Sequence, residues 1–432
     1  MPMETRSRRR RAITTFPDAI LVEILARLPL RIITRFKSVC KTWKSVTESA
    51  YFRRVFLSLH KSSSSSWSLM FPNYHDRPIA EAIGFYGSKT WALPKSLGSY
   101  ILPLKPYPNL PSLDCFYRGS SNGLVLIEVS IKYTGYHAHD FKTFVGNPVL
   151  QQWFEITPPP KRCIGPSLIT SVDEDGVVSS FKVVMTDSRG DSDKDIWNVY
   201  VYSSETGLWS FKRLICTRPV RHLVLTYYPP QNVIGKYYLW ERDSSPTDPG
   251  ILLAYDFYDP EEAEDRCRVI PLPVPGNRRG KRCVTTSEGD VIFIQLLSGR
   301  LKVWKLNDNN NSESSECWQL LWEINMVSLG FDVVDCFPMG MNLFDIDVVY
   351  LWSHQHCCLV SGNLKTQNFI VHWKSKDRSS KKGCYLYNTR DSKRYMERLY
   401  EPPSIFNDSS RILMLSQFVL PQWMDSVPRP PN

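Results

Sequence analysis

FPDAILVEILARLPLRIITRFKSVCKTWKSV, residues 16 to 46, is the stretch on which the reading of the whole chain turns. Pro17 and Asp18 suit a first helical turn, because proline needs no intrahelical donor there and a carboxylate complements the positive helix end. Ile20, Leu21, Ile24, Leu25 and Leu28 recur at helical spacing and predict one apolar stripe. Pro29 has no N–H and disfavours helical geometry at Leu28, so Leu28-Pro29 stops that helix. A second stripe follows at Ile32, Ile33, Phe36, Val39 and Cys40, and a short third one at Trp43 and Val46. Three helices this short cannot bury all these side chains against one another. Part of the apolar surface is therefore expected to meet a partner.

Outward from this stretch the chain changes character on both sides. Residues 1–12 carry Arg6, Arg8, Arg9, Arg10 and Arg11 against Glu4, a local charge of +4, and are expected to be a disordered basic tail. Such a tail suits nuclear import or a weak polyanion contact. The helical unit is expected to span 13–58, with Phe52, Val55, Phe56 and Leu59 on a short linking helix. Lys61 to Ser66, KSSSSS, reads as a flexible joint, so the linker is placed at 59–66. Beyond it, 67–425 is expected to form one large domain and 426–432 an extended tail.

In that large region the period is that of strands, not helices. Candidate strands are Gly123 to Val129, Phe181 to Thr186, Trp197 to Ser203, His222 to Tyr228 and Lys236 to Glu241. Ile251 to Tyr258, Asp290 to Leu297, Arg300 to Lys305, Val348 to Trp352 and Phe369 to Trp373 continue the series. No long, capped amphipathic helix is predicted after Trp67. An all-β region of this length exceeds one sandwich, and a β-propeller is the natural closure. A weak repeat supports it: a turn followed by a tryptophan occurs at Asn147 to Trp153 and at Tyr202 to Trp209, and again, across a polar loop, at Val303 to Trp318. The intervals suggest blades of about 55 residues and six to eight blades, each tryptophan packing between neighbours.

Composition bounds the function. The 432 residues include 13 Trp, 21 Tyr and 20 Phe, which argues against disorder for most of the chain. Eleven scattered cysteines read as reduced thiols of the cytoplasm or nucleus. No run of eighteen apolar residues and no N-terminal apolar core of a signal peptide occurs, so no membrane contact is expected. The net charge is +10, of which +6 is spread thinly beyond residue 12; this is no specific nucleic-acid surface, which needs a clustered stripe.

Signatures of catalysis are missing: no phosphate-cradling glycine loop, no nucleophile elbow, no His-Glu-x-x-His. His354, His356, Cys357 and Cys358 are the right ligand types for zinc. In a strand, however, His354 and His356 face away from Cys357, so a buried strand with satisfied histidines is expected and no metal or cofactor. Asp187 to Asp195 lacks the glycine and terminal glutamate of a calcium loop and reads as a hairpin tip. Asn307 to Glu316 is a second such polar loop.

Phe16-Pro17, Leu28-Pro29 and Val39-Cys40-Lys41-Thr42-Trp43 together resemble an F-box. The family begins with leucine where this chain has Phe16, a change that keeps an apolar anchor. Ser121 to Val125, Asn147-Pro148, Trp153 with Pro158-Pro159-Pro160, Phe181 to Val184 and Val201 to Ser204 resemble the F-box-associated, kelch-like propeller domain of plant F-box proteins, a likeness that thins after about Leu306. The resemblance implies a small three-helix, all-α F-box followed by a large all-β domain. It implies a non-catalytic substrate receptor of an SCF (cullin-RING) ubiquitin ligase, with a Skp-type adaptor and an unidentified target protein as partners. Phe16, Pro17, Ile20, Leu21, Ile24, Leu25, Leu28 and Pro29 are then the main adaptor contacts. Phe36, Val39, Cys40 and Trp43 either touch the adaptor or hold the helices together. An F-box scaffold without ligase output and a propeller enzyme are the competing readings.

Overall fold

Pro17 and Pro29 each start a helix from the position just before it, with extended dihedrals (φ −53°, ψ 136° and φ −59°, ψ 144°). Each proline carbonyl accepts the first two main-chain bonds of its helix, from Ile20 and Leu21 in one case and Ile32 and Ile33 in the other. Proline thus stands one step outside the first turn in which the sequence reading put Pro17. The helices are α1 (Asp18–Leu25), α2 (Leu30–Phe36), α3 (Lys41–Thr47) and α4 (Ala50–His60). The Cys40 sulfur caps α3 by accepting the Trp43 N–H at 3.5 Å, and Ser49 Oγ accepts the Phe52 N–H at 3.1 Å near the start of α4. Leu21, Val22, Leu25, Ala26, Leu30, Ile33, Phe52 and Phe56 form the buried interior. His60 Nε2 donates to the Ala26 carbonyl at 3.0 Å, tying the end of α4 to the end of α1.

The computed structural model describes residues 17–60, 66–71, 80–85, 114–131, 140–174, 176–187, 195–217, 231–233, 236–241, 250–259, 265–274, 280–307, 317–329, 336–372, 378–380, 383–400, 412–421, 423–424 and 426–431. The chain divides into two compact units, Met1–Ser63 with Lys89–Ala92 and Ser64–Ser88 with Leu93–Asn432. The expected basic tail, Phe16, most of the serine run, the strand at 222–228 and the cores of both polar loops lie outside the described residues.

The second unit is built from antiparallel meanders. The first holds β3 to β6 (Asp114–Ser121, Leu124–Ile131, Asp140–Asn147, Gln152–Ile156), the second β7 to β10 (Cys163–Val172, Val178–Asp187, Ile196–Ser203, Trp209–Cys216). The third holds β11 to β14 (Gln231–Val233, Lys236–Glu241, Ile251–Asp256, Arg266–Pro271) and the fourth β15 to β18 (Lys281–Ser287, Asp290–Leu297, Arg300–Leu306, Trp318–Asn325). The fifth holds β19 to β22 (Cys336–Asn342, Asp345–Ser353, Cys358–Asn363, Asn368–His372). A closing sheet joins both ends of the unit: β1 (Trp67–Phe71) and β2 (Ala80–Phe85) pair with β23 (Arg378–Ser380), β24 (Gly383–Tyr387) and β26 (Ser416–Val419) in the order β23-β24-β2-β1-β26. A short β25 (Ile412–Leu413) pairs in parallel with β15.

Apolar clusters fill the seams of the ring in turn. Leu126 and Val145 meet Phe181 and Tyr202 between the first two meanders. Val199 meets Leu253, Leu252 meets Phe293, and Ile294 meets Leu351 at the next three seams. Trp352 and Tyr350 meet Trp67 at the closing sheet. At the last seam Tyr117 OH lies 2.8 Å from Ser416 Oγ, and Ser120 Oγ donates to the Gln417 carbonyl at 2.6 Å. The result is a large all-β unit closed as a β-propeller.

Three expectations need correction. Counted as hydrogen-bonded sheets, the described blades number five, not six to eight. The cause is a parallel pairing of β10 with β14, Ile215 to Arg266 and Cys216 to Cys267, which merges the second and third meanders into one eight-stranded sheet. Next, a capped helix follows Trp67 after all, α5 (Thr389–Tyr400), with Asn388 Oδ1 accepting the Asp391 N–H at 3.1 Å. Its buried stripe, Asp391, Ser392, Tyr395 and Met396, is half polar and hides the period from a hydrophobicity reading. Finally, His354 to Cys357 forms the turn between β20 and β21, not a strand; Cys357 has φ +47°, and both histidines are exposed.

Candidate docking surface

The first stripe divides in two. Residues 20, 21, 24 and 25 cover a wide arc of a helix, more than one partner surface inside the unit can take. Leu21 and Leu25 turn inward, 5% and 1% exposed, while Ile20 and Ile24 remain 47% and 51% exposed. One turn apart, the isoleucines line a shallow open groove with Ala19, Glu23 and Arg27. The Glu23–Arg27 ion pair edges that groove; both groups are largely in solvent, so it contributes little to stability.

The remaining sequence-derived positions separate in the same way. Pro17 is exposed, and Leu28 and Pro29 are half-buried at the helix junction. Phe36 and Trp43 are half-buried and pack edge to face at 5.0 Å, which joins α2 to α3. Val39 is 60% exposed, and Cys40 is exposed although its sulfur caps α3. Ile32, 37% exposed, belonged to the second stripe but not to the expected contact set. Its only signal was surplus: Ile33 beside it already fills the interior.

Little elsewhere in the described residues offers chemistry. No group of three or more His, Cys, Asp and Glu among them is arranged to hold a metal ion. Burial pushes the thiol of Cys115 up to about 12 and those of Cys163 and Cys358 up to about 11, so these sulfurs stay protonated at neutral pH. One connected titratable cluster is Lys212, Tyr255 and Asp265. Lys212 Nζ donates to Asp265 Oδ1 at 2.9 Å and to Tyr255 OH at 3.1 Å, and Tyr255 OH donates to Asp265 Oδ1 at 2.9 Å. Burial is the main force holding Tyr255 up at about 12. Burial opposes ionisation of Asp265 too, but the bonds from Lys212 and Tyr255 outweigh it and hold its carboxyl below the usual range. The cluster clasps β10 to β13 and β14, beside the parallel pairing that merges two meanders.

Comparisons with known proteins match both units. Residues 13–55 match the F-box domain, and residues 65–429 match the F-box protein At3g26010-like β-propeller. The second match runs well past Leu306, where the sequence likeness had thinned. F-box protein At1g49990 of Arabidopsis thaliana is 48% identical, with all of both chains covered. Putative F-box/kelch-repeat protein At4g22430 of the same plant is 42% identical over 97% of this chain and 94% of its own. F-box protein At3g26010, also from Arabidopsis thaliana, is 41% identical over 100% of this chain and 94% of its own. An F-box match over the helices, a propeller match over nearly all that follows, and relatives of like length together place the chain in the family of F-box proteins with an At3g26010-like β-propeller.

Proposed function

We propose that this chain is the substrate receptor of an SCF-type ubiquitin ligase, docking a Skp-type adaptor through its helices and a target protein through its propeller. The observation that carries the reading is the pair Ile20 and Ile24, two isoleucines left half in water on an eight-residue helix whose Leu21, Val22 and Leu25 are inside. A monomeric unit this small gains nothing from exposing them, and a partner that covers them removes apolar area from water. In this reading Pro17, Ile20, Ile24, Ile32 and Val39 meet the adaptor. Leu21 and Leu25 shape the helix behind them, and Phe36, Cys40 and Trp43 fix the angle between α2 and α3. The unit borders of the sequence reading, 13–58 and 67–425, are part of the proposal.

The propeller supplies no bond-making group in this scheme. It raises the effective concentration of a target beside a transfer enzyme carried by other subunits. The site of action is the cytoplasm, the nucleus or both, with the arginine run at 6–11 as the import element. Co-expression with a Skp-type adaptor tests the first half: the full chain co-purifies with it, and a chain lacking 13–58 does not. Proteasome inhibition tests the second, since a true receptor then accumulates its ubiquitinated target. Adaptor binding without any such accumulation would instead favour a scaffold.

A further inference from the structure

The C-terminal segment does not leave the propeller as a free end. After β26 the described residues have no regular secondary structure, yet Trp423, Met424 and Val427 are 6%, 7% and 3% exposed. Its path is marked by two turn glycines with positive φ. Pro421 lies against Gly123 (φ +83°), where an added Cβ would come within 2.5 Å of it. Pro430 lies against Gly207 (φ +71°), where an added Cβ would come within 3.0 Å. Gly123 belongs to the turn between β3 and β4 and Gly207 to the turn between β9 and β10, so the segment crosses the seam between the first two meanders. Val427 sits in the apolar cluster of that seam with Leu126, Val145, Phe181 and Tyr202, and Phe154 and Trp209 pack against the same cluster. Pro428 and Pro430 are half-buried while Arg429 and Pro431 are exposed. This alternation is that of an extended, proline-rich strand laid on an aromatic surface.

We propose that this seam is a binding site for an extended, proline-containing segment of another protein, with an apolar residue before Pro-x-Pro, and that the chain's own Val427-Pro428-Arg429-Pro430 fills it in cis. The chemistry of the seat points to that ligand class. Phe154, Phe181, Tyr202 and Trp209 form one aromatic group with ring centroids 5.6 to 6.5 Å apart. Flat faces of this kind receive proline rings, whose fixed φ leaves little entropy to lose on docking. The two turn glycines leave room for proline rings to approach main chain where a side chain would block them. A tail tethered at β26 has an effective local concentration of about a millimolar, so a tail of roughly 10 to 100 µM intrinsic affinity for its seat disfavours an incoming segment about ten- to a hundredfold.

The test uses a fluorescent peptide of residues 425–432, Asp-Ser-Val-Pro-Arg-Pro-Pro-Asn, titrated into three proteins. These are the full chain, a chain ending at Met424, and the full chain with Val427→Asp. Thermal melts establish that each is folded. The expected result is saturable binding to the shortened and Val427→Asp proteins, at least tenfold tighter than to the full chain, and at least a tenfold loss when the peptide carries Pro428→Ala and Pro430→Ala. Equal affinity for all three proteins, or no binding by a folded protein with the tail removed or released, overturns the proposal. If the shortened chain does not fold, Val427→Asp alone decides. If that variant also fails to fold or to bind, the segment is a structural strap and the seam is no ligand site.

Discussion

At the scale of single residues, Ile20 and Ile24 separate two roles that a helical period merges. Positions 20 and 21 differ by only 100° around the helix axis, so a stripe at 20, 21, 24, 25 and 28 foretells the helix but not which edge of it is covered. What was legible in the sequence was the surplus of apolar side chains; the division of labour needed the packing of the helical unit, which takes Leu21 and Leu25 inside and leaves Ile20 and Ile24 in water. Replacing Ile20 and Ile24 together by Asp is expected to weaken adaptor binding at least thirtyfold, about 2 kcal/mol, because the interface would have to desolvate carboxylates. The melting temperature should stay unchanged, since neither side chain is in the interior. Leu25→Ala should give the reverse pattern, with about 2 to 5 kcal/mol lost from folding of the helical unit. A pull-down and a melt on the same preparations check both, and loss of binding confined to Leu25→Ala would mean the groove faces nothing.

Elements show a device that the tryptophan repeat only hinted at. In four meanders the third strand ends on a residue whose side chain accepts a turn N–H: Asp256 from Tyr258 at 2.8 Å, and, with a longer shared pattern, Asn147 from Val149 at 3.0 Å, Ser203 from Glu205 at 3.2 Å and Asn363 from Thr366 at 2.8 Å. Four residues later comes a positive φ, at Gln151, Gly207 and Gln367, and two residues after that an aromatic, Trp153, Trp209 and Phe369. The tryptophan repeat covers the first two and not the third, because Phe369 is not a tryptophan. Function divides these aromatics further. Trp209 Nε1 donates to the Thr157 carbonyl at 2.8 Å, and Trp318 Nε1 to the Pro271 carbonyl at 2.8 Å, each stitching a meander to the one before it. Trp153 instead lies over Gly146, as Phe369 lies over Gly362, and its buried indole N–H has no partner among the described residues. Trp209→Phe and Trp318→Phe should therefore each cost about 1 kcal/mol or more, while Trp153→Phe, which copies the fifth meander, should change stability by less than about 0.5 kcal/mol. Denaturant midpoints decide; an equal loss at all three would refute the distinction. The clasp at Asp265 predicts a pH effect. A carboxyl held below its ordinary value near 3.8 contributes stability above that value and loses it as the pH falls through the lower folded one. The group is 40% exposed and solvent-screened, so Asp265→Asn should lower the melting temperature at pH 7 by less than about 2 °C. The gap should close as the pH falls through the lowered folded value, once the carboxyl is protonated in both states; a gap that persists there would assign it to packing.

Over the whole molecule, closure rests on the sheet that gathers both ends of the propeller. Trp67 to Met70 pair with Ser416 to Val419, so the N-terminal strand depends on residues from the far end. The all-β character and the need for closure were legible from strand length and turn residues. The sheet count was not, because the pairing of β10 with β14 joins residues some fifty apart and no local period records it. A chain ending at residue 411 should lose the cooperative melt of the propeller and expose the Trp67 edge to limited proteolysis; an unaltered melt would show that the ring does not need its last strand. The same arrangement has a consequence for biosynthesis. Trp67–Phe71 leaves the ribosome some 350 residues ahead of Ser416–Val419. At ordinary translation speeds that interval is on the order of 20 to 70 s. For all of it an apolar strand waits with one edge unsatisfied, and the nascent chain is a client for whatever chaperone shields such edges.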